Sequence, residues 1–95
     1  MIDIKISNEN LDIYIEKIDV DNLSDLEVQK LRKLYKVTLP KVYNSVSNAI
    51  ALAHHGAITN TTLSQFLDKI QQNNNVSDEL FYSILTVVKR HIKGN

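Results

Sequence analysis

Two stretches near the start of the chain alternate apolar and polar residues with a period of two, and the rest follows a helical period. Residues 2–6 read Ile2, Asp3, Ile4, Lys5, Ile6, and residues 11–15 read Leu11, Asp12, Ile13, Tyr14, Ile15. Strict alternation with β-branched residues predicts strands. Ser7-Asn8-Glu9-Asn10 between them suits a hairpin loop. Pairing Ile6 with Leu11 places Ile4 opposite Ile13 and Ile2 opposite Ile15, all on one face. The same register sets Lys5 opposite Asp12, a favourable cross-strand pair. A two-stranded ribbon is marginal in isolation, so its isoleucine face needs cover from the helices that follow.

Beyond Asp19-Val20-Asp21-Asn22 the period becomes helical. Ser24 with Glu27 three residues later predicts a capping box. Over 23–37, Leu23, Leu26, Val28, Leu31, Leu34 and Tyr35 make the apolar arc, and Asp25, Gln29, Arg32, Lys33 and Lys36 the polar one. Thr38-Leu39-Pro40 interrupts, with Thr38 as a cap and Pro40 in the first turn of the next helix. That second helix is expected from about Leu39 to His55, with Val42, Val46, Ala49, Ile50 and Ala53 as its buried stripe and Gly56 closing it. Ser45, Ser47, Ala49, Ala51 and Ala53 keep it slim. A third helix is expected over about Thr61–Gln72, carrying Leu63, Phe66, Leu67 and Ile70, with a Thr62–Gln65 capping box. The fourth starts at the Ser77 cap, with Asp78 and Glu79 at the positive end of the dipole. Leu80, Phe81, Ile84, Leu85, Val87, Val88 and Ile92 cover more than half of its circumference, as a central helix requires.

The expected fold is therefore α+β: an N-terminal β-hairpin followed by three to four α-helices packed on its apolar face, in a single domain spanning 1–95. The alternative is a small all-α bundle with the first twenty residues loosely attached. Two glycines and one proline in 95 residues fit helices joined by short polar loops.

Composition narrows the chemistry. The chain has no cysteine, which excludes thiol catalysis and cysteine-based metal sites. His54 and His55 are adjacent, so their imidazoles diverge by about 100° on a helix and do not share an ion. His91 reads as a packed or rim residue. Asp19-Val20-Asp21 lacks the glycine and closing glutamate of a calcium loop. No phosphate-binding glycine loop, nucleophile elbow or Ser/His/Asp spacing occurs. No catalytic residue, metal ligand or cofactor is expected, and the chain is not expected to be an enzyme. Met1-Ile2-Asp3-Ile4-Lys5 lacks the pattern of a secretory leader, and no apolar run approaches a bilayer span, so a cytoplasmic protein with no membrane partner is expected.

Charge is the unusual feature. Eleven basic and eleven acidic residues cancel overall. Yet residues 1–28 hold eight of the acidic side chains, and residues 29–95 hold nine of the basic ones. Two candidate partner-binding surfaces follow. Asp12, Tyr14 and Glu16 form an acidic, tyrosine-bearing strand suited to a basic partner. Arg32, Lys33 and Lys36 lie in a basic run, with Lys30 and Lys41, suited to phosphates or an acidic protein. The function expected is that of a small non-catalytic protein-binding module, such as a stoichiometric inhibitor, immunity, anti-defence or adaptor protein, that masks the surface of a macromolecular partner. One alternative is a dimeric nucleic-acid-binding regulator using Arg32, Lys33, Lys36, Lys41, Lys89, Arg90 and Lys93 on phosphates. Another is a structural subunit, a possible homodimer, with an apolar seam on the fourth helix near Leu85 and Val88.

Overall fold

The structure is a computed structural model that describes residue 15 and residues 17–93. These form a short 3-10 turn, Val20–Asn22, followed by helices α1 (Asp25–Thr38), α2 (Pro40–His54), α3 (Asn60–Asn74) and α4 (Asp78–Lys93). No strand occurs among the described residues. The fold is a small all-helical bundle, and the α+β expectation is overturned. Of the two expected strands only Ile15 is described. Its backbone is helical, it is buried, and its carbonyl accepts from the Ile18 N–H at 3.1 Å. A turn of that kind satisfies the backbone locally, where a strand needs a paired neighbour along its length. It also delivers both Ile15 and Ile18, three residues apart, to the core. The remainder of the expected hairpin, 2–14, lies outside the described residues.

The helix signals correspond closely to the structure. Ser24 caps α1: its Oγ accepts from the Glu27 N–H at 3.2 Å, and the Glu27 carboxylate accepts from the Ser24 N–H at 2.9 Å. This bond, above all other causes, holds the Glu27 carboxyl below its usual range. Pro40 opens α2, where a missing N–H costs nothing. Thr38 does not cap α2 as expected. It ends α1 and donates its hydroxyl back to the Leu34 carbonyl at 2.8 Å. The cap of α3 is Thr59, two residues earlier than the expected start, and its Oγ1 accepts from the Thr62 N–H. Thr62 is thus a bonded first-turn residue rather than a cap. Gly56, at φ +76°, closes α2 in the left-handed region that favours glycine. Ser77 caps α4 through the Leu80 N–H at 3.2 Å.

Helix α4 is central. Leu80, Phe81, Ile84, Val87 and Val88 are buried, and α4 packs on both α1 and α2. It runs opposite to α1: Asp25 at the start of α1 meets Arg90 near the end of α4, while Tyr35 meets Ser83 in the first half of α4. Val88 is 1% exposed and Leu85 partly buried against the core, so the expected seam is filled from within. Helix α3 is peripheral. It packs on α2 and has no buried residue, although Leu63, Leu67 and Ile70 lean on the core.

Candidate functional site

The described part of the basic run divides between two faces of α1. At 100° per residue, Leu26, Lys30, Lys33 and Val37 follow one another at spacings of four, three and four, a single stripe. That stripe is the outer face. Lys30 and Lys33 are exposed, Leu26 is 61% exposed and Val37 80% exposed. The apolar arc expected over 23–37 includes Leu26. Leu26 lies about 140° around the helix from Leu31, which is in the core, and so it faces out.

Arg32 and Lys36, one turn apart, stand at the edge of the core stripe instead. Arg32 is half-buried, and its Nε is enclosed without a hydrogen-bond partner. Beside it lies Tyr43 of α2, 3% exposed, whose Oη is likewise enclosed and not aligned in a hydrogen bond. Burial pushes the Tyr43 hydroxyl up, and the neighbouring guanidinium pulls it part of the way back. His91 of α4 faces the same group. Burial lowers its pKa most, and Arg32 and Lys36 lower it further, because a third positive charge there is repelled. The sequence placed Arg32, Lys33 and Lys36 in one surface. The fold brings Arg32 and Lys36 together and sends Lys33 to the outer stripe.

In the other basic cluster, Arg90 is already engaged within the fold. Arg90 donates to the Leu23 carbonyl and pairs with Asp25 at 2.8 Å. Arg90 therefore ties the chain entering α1 to the end of α4, and a phosphate-binding set that counted it loses that member. Lys89 is exposed.

The acidic candidates Asp12, Tyr14 and Glu16 lie outside the described residues. An acidic recess does occur beside them in sequence. Asp19, Asp21, Glu79 and Tyr82, with Ile15, Ile18 and Val20, line an open hollow of about 340 Å³. Tyr82 donates its hydroxyl to the Asp21 carboxylate at 2.7 Å, and that bond raises its pKa. Sequence reasoning missed Tyr82. Its position on the outer side of an apolar helix was the available signal, but the partner lies 61 residues away. Elsewhere, Ser45, Asn48, Ala49 and Leu52 of α2 and Phe66, Lys69 and Ile70 of α3 line a shallow, mostly apolar groove of about 360 Å³. Of the slim residues of α2, Ser45 and Ala49 line this groove.

His54 and His55 meet edge to face at 5.4 Å, both exposed at the end of α2. Among the described residues no group of three or more metal-ligating side chains converges. No helix among them is long and apolar enough to cross a membrane. Comparison with protein-family models, curated proteins and solved structures found no match, so a functional reading rests on these residues and their placement.

Proposed function

We propose that the chain is a non-catalytic binding module that docks the outer face of α1 on an acidic protein surface. The observation that carries this reading is the stripe in which Lys30 and Lys33 alternate with the exposed Leu26 and Val37. Large apolar side chains left in water between lysines have no use against a phosphate backbone. They fit a protein surface that offers apolar hollows ringed by carboxylates. The lysines steer the encounter, and the leucine and valine supply the desolvated contact. The engagement of Arg90 by Asp25 also weakens the nucleic-acid alternative, which needed one broad basic face.

The test is capture by the intact tagged chain from a source-like lysate, with and without nuclease. A near-stoichiometric protein band that survives nuclease is expected. A Leu26→Asp/Val37→Asp chain should lose it, and Lys33→Glu should weaken it and make what remains less dependent on salt. Both outer positions are exposed, so helicity by circular dichroism should stay unchanged. Captured nucleic acid, or a band indifferent to these substitutions, would overturn the reading.

A further inference from the structure

We propose that the chain associates with itself head to tail, the outer face of α1 in one copy seating on the acidic hollow at α4 in the next. This rests on the reading of that face as a docking surface, and it names a second copy of the chain as an occupant.

Both halves of such a contact are present on one molecule. The stripe carries Lys30 and Lys33 between the exposed Leu26 and Val37. Glu27, three residues before Lys30, is turned back onto the Ser24 N–H. The hollow combines Asp19, Asp21 and Glu79 with Ile18, Val20 and the half-exposed Tyr82. Asp19 accepts from the Asn22 amide at 2.8 Å, and Asp21 from the Tyr82 hydroxyl at 2.7 Å. Both donors are neutral, so these bonds orient the carboxylates and leave their charge in place. Asp25, by contrast, is met by the Arg90 guanidinium. A surface that mixes apolar side chains with oriented carboxylates is the complement of one that mixes apolar side chains with lysines. Within one molecule the two do not cover each other, because the stripe stays exposed and the hollow open.

Charge also selects the arrangement. Two stripes face to face would crowd lysines against lysines, and two hollows would crowd carboxylates against carboxylates. Stripe against hollow pairs opposite signs. The whole chain has a formal net charge of zero, so a second copy approaches without overall repulsion. Pairing unlike surfaces is heterologous, so the assembly lengthens with concentration unless its rotation closes a ring. The surfaces are small, which puts the contact in the weak, transient class. At low concentration the α1 face stays open to another acidic protein, and at high concentration copies compete for it.

The test is sedimentation velocity of the intact chain from micromolar to millimolar concentration, at low and high salt. The average sedimentation coefficient should rise with concentration, and high salt should suppress the rise. Lys30→Gln/Lys33→Gln disables the stripe, and Asp19→Asn/Glu79→Gln disables the hollow. Each should weaken self-association by about tenfold or more, through loss of the charge pairs across the contact. All four positions are exposed, so circular dichroism should stay unchanged. Lys69→Gln/Lys89→Gln makes the same change in net charge away from both surfaces and should associate like the parent. An equimolar mixture of the two disabled chains is the decisive arm. One supplies an intact hollow and the other an intact stripe, so the mixture should form a one-to-one pair that grows no further. A parent chain that stays monomeric, association that persists in Asp19→Asn/Glu79→Gln, or a mixture no more associated than its components would overturn the proposal. Lysate capture separates the two readings. The chain with the disabled hollow keeps its stripe and should still capture an acidic protein. Stripe-dependent capture by a parent that is monomeric at every concentration would overturn self-association and leave the docking surface standing.

Discussion

Tyr35 and Ser83 form the polar contact on which the packing of α1 against α4 is most exposed to test. Both are 0% exposed, and their oxygens are 2.7 Å apart. The Ser83 hydroxyl has a single proton, and it goes to the Leu80 carbonyl at 2.6 Å. The proton between Tyr35 and Ser83 must then come from Tyr35. Tyr35→Phe removes that donor and leaves the serine oxygen without an incoming bond, a loss of about 1–1.5 kcal/mol. Ser83→Ala removes the acceptor that the buried phenol uses here, which costs about 1–3 kcal/mol. Removing both should cost less than the sum, with a coupling of about 1 kcal/mol, as for residues in direct contact. For a chain of this size each kcal/mol moves Tm by about 4–8 °C. Urea and thermal denaturation of the two single variants and the double, followed by far-UV circular dichroism, measure all three terms. Single variants as stable as the parent, or a double that is additive within about 0.3 kcal/mol, would refute the reasoning.

Other regions give sharper contrasts than magnitudes. Ser24→Ala should destabilise by about 1 kcal/mol through loss of the α1 cap, visible as a lower urea midpoint. The depressed Glu27 pKa contributes stability that is present above its unfolded value of 4.5 and is lost as pH falls through the folded value, so Glu27→Gln should flatten the acid limb of a Tm-against-pH curve. His91 has the opposite charge sign. Its folded pKa lies below 6.5, so below that pH the unfolded state binds the proton first, and stability falls as pH drops from 6.5 toward the folded value. Lys36→Gln should reduce that loss, as read from Tm above and below the transition. Arg90→Ala should cost more than Asp25→Ala, because Asp25 is 97% exposed and its pairing is worth about 0–1 kcal/mol, whereas Arg90 also serves the Leu23 carbonyl. Equal Tm changes for these two variants would contradict that division.

The helices were legible in the chain because their signals are local. The capping box at Ser24 and Glu27, Pro40 in a first turn, Gly56 past a last turn and the Ser77 cap each need only their own neighbours, and each stands where the pattern put it. The breadth of the apolar surface on α4 also announced a central helix before any contact was known. Period-two alternation was a weaker guide. It is satisfied by any chain of isoleucines at alternate positions, whereas a strand exists only if a second segment pairs with it.

The candidate site was legible only as a list of charges. Residue types and spacing could place Arg32, Lys33 and Lys36 on one helix. They could not say that Arg32 and Lys36 meet Tyr43 and His91 from two other helices while Lys33 looks outward with Leu26 and Val37. Nor could they say that Arg90 is consumed by Asp25, 65 residues away, or that Tyr82 reaches Asp21 across 61. Caps, breaks and apolar stripes are set by atoms a few residues apart, so the chain alone determines them. Which cation is neutralised and which is left beside an enclosed hydroxyl depends on how α4 lies across α1 and α2. That was decided by the burial of Leu80, Ile84, Val87 and Val88, a non-directional force that carries the charged groups to wherever the packing leaves them.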